Sequence, residues 1–308
     1  MMLKEINSMN VGTSLFNVPT NITSYADDII LLSSTLTGLQ KMVNKCVQYG
    51  YQHGIKFNPK KTKFIVSGPI HFNNLSLSID GHTVTKHVEL KHLGFHWQTN
   101  SMTSVSSIDV SHTDRRIADF WAATKALVSS GIRFLHPHSI AELHNTLLIP
   151  KLAYGLELCH ITPNLYEHLE KQSRLALKSS FNLSKYARNL LHPTLKIKSM
   201  KDILQQRKLT LFTRLLQNNT TKSILCRQMS NPITPRCFLS DIIEICNDRD
   251  INLIEMFLSS KVKPFVTSYD LSEEQKIKVE TIKQKFRGWF IPENRFEFKR
   301  MMEDNIIR

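Results

Sequence analysis

Ile22-Thr23-Ser24-Tyr25-Ala26-Asp27-Asp28-Ile29-Ile30-Leu31-Leu32 is the stretch on which the reading of this chain turns. A β-prone segment leads into Tyr25-Ala26-Asp27-Asp28, and an apolar run comes next. The pattern predicts a tight β-hairpin with two acids at its tip. Two adjacent like charges are costly to bury without a cation, so a divalent metal is a natural partner for Asp27 and Asp28. A hard cation such as magnesium takes carboxylate oxygens and leaves room for substrate phosphate, as nucleotidyl transfer requires. The same tetrapeptide also suits an ordinary solvated turn, because Asp favours turns for local hydrogen bonding.

The segments after the hairpin are orderly. Thr37 and Gln40 have capping-box spacing. Leu36, Leu39, Val43, Cys46 and Val47 then recur on one helical face, and Gly54 suits a left-handed C-terminal cap. Ile55 through Val66 contains a basic turn, Asn58-Pro59-Lys60-Lys61-Thr62-Lys63, which feeds a short β-branched strand. From Leu75 to Trp97 the chain reads as β structure, with Asp80-Gly81 as a favoured two-residue hairpin turn. Leu93-Gly94-Phe95 predicts a second hairpin or a tight strand.

In that order these segments resemble the reverse transcriptases. Tyr25–Asp28 is similar to motif C, Gly54–Val66 to motif D, and Val88–Phe95 to the primer-grip motif E. Leu143–Gly155 resembles the thumb region, and the wording is most similar to non-LTR (LINE-type) retrotransposon enzymes. The resemblance covers residues 11–218. It implies an RNA-directed DNA polymerase, a nucleotidyltransferase with a two-magnesium (Mg2+) site. An RNA template, a DNA primer and deoxynucleotides are the implied partners. Asp27 is then the stronger metal ligand and Asp28 the secondary one. Lys60 or Lys63 would stand near the leaving pyrophosphate, with a solvated basic turn as the plain alternative. His92, Leu93, Gly94 and Phe95 would hold the primer end.

The departure from the family matters equally. Its members place motif A, with a metal-binding aspartate, and motif B ahead of motif C. The 24 residues before Tyr25 contain one acid, Glu5, and no such motif. A two-metal site needs carboxylates from more than one strand. The expectation is weak metal binding and no unaided polymerisation, with a complementing front half as a possible partner. A sheet short of a strand also exposes an edge.

Lys and Arg number 40 against 26 acids, for a formal charge of +14, which suits a polyanionic partner. The first 110 residues hold nine Lys and no Arg, so positive charge concentrates beyond them. Lys171, Arg174 and Lys178 share a helical face, Arg207 and Arg214 are seven apart, and Lys185 and Arg188 lie in a loop-like stretch. Such rows could track phosphates or could be solvated faces. None of the five cysteines forms a C-x-x-C pair, which disfavours a zinc ribbon. No signal peptide or membrane-length run is evident, so an intracellular protein of nucleus or cytoplasm is expected, with no membrane partner.

Ser- and Thr-rich residues 99–112 read as a linker. Ile117, Phe120, Trp121, Thr124, Leu127 and Val128 then form a helical stripe closed by Gly131. Ser139 with Glu142, Thr162-Pro163, Ser199 with Asp202, and Ser272 with Gln275 mark further helix starts. Pro150 is expected to kink its helix. The predicted fold is α+β: a partial polymerase palm over 1–98, an antiparallel sheet with a packed helix, then the linker. A thumb-like, all-α helical bundle over 113–220 and a helical extension over 221–308 complete it. The expected function is a reverse-transcriptase fragment, inactive alone. The alternatives are a non-enzymatic nucleic-acid-binding remnant and, less favoured by the thumb sequence, a group II intron maturase.

Overall fold

A computed structural model describes residues 2–9, 11–67, 75–98, 106–233 and 235–303. The chain is α+β and divides into two units, Met1–Ser111 with Leu215–Thr234 and His112–Arg214 with Pro235–Arg308.

The first unit is a set of hairpins around one helix. Helix α1 (Met2–Asn7) precedes four antiparallel pairs. These are β1 (Ser14–Leu15) with β2 (Val18–Pro19), and β3 (Ile22–Tyr25) with β4 (Asp28–Leu31). Helix α2 (Leu36–His53) comes next, then β5 (Ser76–Ile79) with β6 (His82–Thr85), and β7 (Glu89–His92) with β8 (Phe95–Gln98). Among the described residues the pairs stay separate, so the expected single sheet is a series of two-stranded ribbons. Asp80-Gly81 and Leu93-Gly94 both turn with positive φ at each residue, the geometry that matches strand twist.

Helix α2 starts two residues before the expected cap. Thr35 Oγ1 accepts the Gly38 N–H at 3.0 Å, so Thr37 lies inside the helix. Gly54 ends it in the left-handed conformation at φ 69°, as its lack of a Cβ allows. The apolar stripe of α2 serves both sides. Met42 and Cys46 pack with Ile6 and Ile22, while Val43 packs with Phe64, Leu77, Ile79 and Val84. Full burial of one such side chain contributes about 1.5–3 kcal/mol. Helix α2 is thus the post on which the acidic hairpin and the β5–β6 hairpin are both mounted.

The second unit is helical. Of the expected linker, residues 99–105 lie outside the described residues, and 106–112 already belong to α3 (Ser106–Ser129). A short 3-10 turn, Ile132–Phe134, leads to α4 (Pro137–Leu143). That helix begins two residues before Ser139, with His136 as its cap. A π-turn over His144–Leu148 then precedes α5 (Ile149–Ala153). Pro150 has no N–H to give to the preceding turn, and the widened turn is where the chain absorbs that loss. The remaining helices are α6 (Pro163–Ser180), α7 (Leu191–Leu195), α8 (Met200–Gln217), α9 (Asn219–Met229), α10 (Phe238–Asp248), α11 (Leu253–Ser259), α12 (Glu273–Arg287) and α13 (Pro292–Glu303). Of these, α9 falls in the first unit. Thr162 caps α6, and Ser272 with Gln275 forms a full capping box on α12.

One core joins early and late segments of the second unit. Ile140 of α4, Leu177 of α6 and Leu191 of α7 pack with Ile282 and Phe286 of α12 and with Phe298 of α13. Phe181 meets Phe286, Trp289 and Phe298 with ring centroids 5.8–6.1 Å apart. The helices after residue 270 therefore complete the same core as those before residue 200.

Candidate metal and nucleic-acid site

The acidic hairpin is held from one side. Ile22 pairs with Leu31 and Ser24 with Ile29, and the apolar members of that face pack on α1 and α2. Thr23, Tyr25, Asp28 and Ile30 lie on the other face. Asp28 opens β4 opposite Tyr25, and Ala26-Asp27 makes the turn with Ala26 at φ 53°. Asp27, Asp28 and Tyr25 are all exposed, Tyr25 to 66 %. Both carboxylates therefore stand in water at the tip of an anchored hairpin. Among the described residues, no group of three His, Cys, Asp or Glu is close enough to hold a metal ion. Asp27 and Asp28 offer hard oxygen ligands suited to magnesium, but a two-ion site is not assembled from the described residues.

The basic turn is built around Asn58. Its Oδ1 accepts the Lys60 N–H at 3.0 Å, and its carbonyl accepts from Lys61 and Thr62. That local bonding leaves Lys60, Lys61 and Lys63 exposed while Phe64 is buried beside β6. The loop is tied down where the Phe64 carbonyl accepts the His87 N–H at 2.9 Å. Among the described residues, neither Lys60 nor Lys63 forms an ion pair with Asp27 or Asp28. Among the described residues, the hairpin and the loop both pack into the α2 core, through Leu31 and Phe57.

In the β7–β8 hairpin, Leu93 and Gly94 turn at φ 48° and 78°. His92 lies opposite Phe95 and Leu90 opposite Trp97. Phe95 and Trp97, two apart on one strand, share a face and meet edge to face at 5.1 Å. The ordinary-strand alternative, with these rings on different sides, does not describe this hairpin. Trp97 is 40 % exposed, so a partly open aromatic face sits beside the tight turn.

The cationic row on α6 is divided by its surroundings. Lys171 is exposed, whereas Arg174 donates from Nε to Glu170 at 3.1 Å. Lys178 is buried, and its ammonium donates to the carbonyls of Lys185 and Ala187. Burial, and next the Arg174 charge, push its pKa down. Lys178 thus holds the loop after α6. Lys185 is exposed with its ammonium over the Tyr186 ring at 4.9 Å, and the Arg188 N–H donates to the Met302 carbonyl. Arg207 makes a two-pronged pair with Glu157, at 3.0 and 3.3 Å, and Arg214 is exposed.

Two buried polar groupings carried no local sequence signal. Ser173 Oγ stands between two imidazoles, 3.0 Å from His144 Nε2 and 3.2 Å from His192 Nε2. Asp241 stands between the Lys208 ammonium and His160 Nδ1. Their members are separated by 19 to 81 residues, so only the fold brings them together.

The family model for reverse transcriptase (RNA-dependent DNA polymerase) matches residues 2–97. That span holds the acidic hairpin, α2, the basic turn and the β5–β8 hairpins. The match does not extend to the helices of the second unit. The curated proteins compared with the chain include no match. Among the described residues no helix is long and apolar enough to cross a membrane.

Proposed function

We propose that residues 2–97 are the back part of a reverse-transcriptase palm of the non-LTR retrotransposon type, and that 113–220 act as its thumb. The observation that carries this is the order of parts along the matched span: exposed acidic hairpin, supporting helix, basic turn, aromatic hairpin. Asp27 and Asp28 form one wall of a two-magnesium site, and magnesium supplies charge neutralisation at the transferred phosphate. A carboxylate from a further palm strand forms the other wall. Lys60 or Lys63 faces the leaving pyrophosphate, and the Leu93-Gly94 turn lets the backbone approach the primer terminus. RNA template, DNA primer and deoxynucleotides are the partners. On this reading the 308 residues alone bind magnesium weakly and do not polymerise.

The test is extension of a DNA primer on an RNA template. The purified chain is assayed alone and mixed with a reverse-transcriptase fragment carrying fingers and front palm. Product only in the mixture is expected. Product from the chain alone would contradict its incompleteness. A folded chain that binds template–primer but yields nothing in either arm would favour the second reading, a non-catalytic nucleic-acid binder. That reading draws on the missing third ligand among the described residues.

A further inference from the structure

Asn21, the residue that leads into β3, is 4 % exposed and is tied to three parts of the first unit at once. Its carbonyl accepts the Leu32 N–H at 2.8 Å, one rung below the Ile22–Leu31 pair, which closes the base of the acidic hairpin. Its side-chain Oδ1 accepts the Thr13 N–H at 3.0 Å, where the chain enters β1. Its Nδ2 donates to the Ile6 carbonyl at 3.4 Å, in the last turn of α1. Helix α1 is in turn fastened to α2 by the Glu5–Lys45 ion pair at 2.8 Å. Gly12, at φ 106°, keeps the seat for the amide open: an added Cβ would lie 2.5 Å from Asn21 Oδ1.

These contacts differ in kind from the apolar ones. Ile22 and Leu31 hold the hairpin down on α1 and α2, but apolar burial is non-directional and fixes no angle. Hydrogen bonds from a buried amide are directional and do fix one. The lever is long. Tyr25 lies four residues beyond Asn21, roughly 13 Å away at about 3.3 Å per residue. A tilt of about 5° at Asn21 therefore moves the tip by about 1 Å, half the length of a magnesium–oxygen bond of about 2.1 Å. Misplacing a reacting group by about 1 Å costs about a hundredfold in rate.

We propose that Asn21 is the positioning residue of the acidic hairpin: its amide sets the tilt of β3–β4 on α1, and with it the placement of the Asp27 and Asp28 carboxylates. The consequence for catalysis rests on the reading of those carboxylates as a metal wall; the tilt itself does not.

The test uses the full 308-residue chain. Residual dipolar couplings of the β3–β4 amides, referred to those of α2, read the tilt without metal or activity. Asn21→Asp keeps the acceptor for Thr13 and loses the donor to Ile6, with little change in volume. Asn21→Ala loses both, and Gly12→Ala displaces the amide without altering its chemistry. All three should rotate the hairpin relative to α2. With the front-palm fragment added, Asn21→Ala should lower kcat for primer extension by about a hundredfold. It should also raise the magnesium needed for half-maximal rate, with the KM for template–primer unchanged. Val84→Ala thins the core on the β5–β6 side, so it should lower the melting temperature and leave kcat as in the wild type. Unchanged couplings in folded Asn21→Asp and Asn21→Ala overturn the proposal. So does a fall in kcat in Val84→Ala equal to that in Asn21→Ala, since lost stability would then account for both. No extension by the complemented wild-type chain, with the rotation observed, counts against the polymerase reading and leaves the clamp at Asn21 standing.

Discussion

The side-chain amide of Gln40 pairs with the backbone of Ser78 in both directions. Gln40 Nε2 donates to the Ser78 carbonyl at 2.7 Å, and the Ser78 N–H donates to Gln40 Oε1 at 2.7 Å. An amide plane presents a donor and an acceptor side by side much as a strand backbone does, so α2 uses it to bond the edge of β5 that faces away from β6. Gln40→Ala should lower the stability of the first unit by about 1 kcal/mol, because two exposed bonds return to water. Gln40→Glu keeps the acceptor but loses the donor, and should recover little of that. Urea unfolding followed by Tyr and Trp fluorescence would check both.

The imidazole pair around Ser173 makes the second unit acid-sensitive. Burial lowers the His144 pKa from 6.5 to about 4. His192 falls from 6.5 to about 3, by burial first and then by the charges of His144, Arg174 and Lys178. The unfolded chain therefore binds more protons than the folded one below pH 6.5. Stability is fully present above pH 6.5 and is lost as pH falls toward 4 and then 3. The slope reaches about 1.4 kcal/mol per pH unit for each histidine. Thermal melts from about pH 7.5 to about 4.5 should show this fall, and His144→Gln with His192→Gln should flatten it. A wild-type midpoint that is constant over that range would be inconsistent with two neutral buried rings.

Lys171 and Lys178 are seven apart on α6 and should behave oppositely. Lys178→Met leaves the Lys185 and Ala187 carbonyls without their donor and should cost about 2 kcal/mol or more. Lys171→Met removes an exposed charge and should leave stability within about 0.5 kcal/mol. Chemical denaturation of the two variants side by side distinguishes them. Equal effects would mean that the two ammonium groups sit in similar surroundings.

Asp241 gathers two partners in the second unit. His160 Nδ1 lies 2.7 Å from one of its oxygens, and the Lys208 ammonium donates to the other and to the Cys159 carbonyl. Both Lys208 and Asp241 are buried. Asp241→Asn should cost about 3–5 kcal/mol, since it strands a buried ammonium. Adding Lys208→Met to Asp241→Asn should restore part of that loss. A double variant less stable than the single one would show that the pair does not act as a unit.

Local signals carried over well where a short stretch holds its own geometry. Asp80-Gly81 turns as its residues favour. Leu93-Gly94 turns with Gly94 at φ 78°, although Leu93 takes a left-handed φ of 48° that leucine disfavours. Gly54, Thr162 and Ser272 cap the helices next to them. The Thr37–Gln40 box does not form: Thr35 caps α2 through the Gly38 N–H, and the Gln40 amide is engaged instead with the Ser78 backbone. Spacing also put Lys178 beside Lys171 on one face, yet that face turns inward at the loop after α6. Nothing within α6 reports the carbonyls of Lys185 and Ala187. The acidic hairpin and its supporting stripe on α2 were legible, because each part is contiguous. The groups around Ser173 and Asp241 were not, since their members meet only after α6, α7, α8 and α10 have packed.

Metal-dependent primer extension by the complemented chain probes the acidic hairpin most directly. With a front-palm fragment present, the wild-type chain should extend a DNA primer on RNA in magnesium, and Asp27→Ala should reduce the rate by at least about a thousandfold with template–primer binding retained. Extension by Asp27→Ala with Asp28→Ala at the wild-type rate would contradict the assignment of this hairpin as a wall of the metal site.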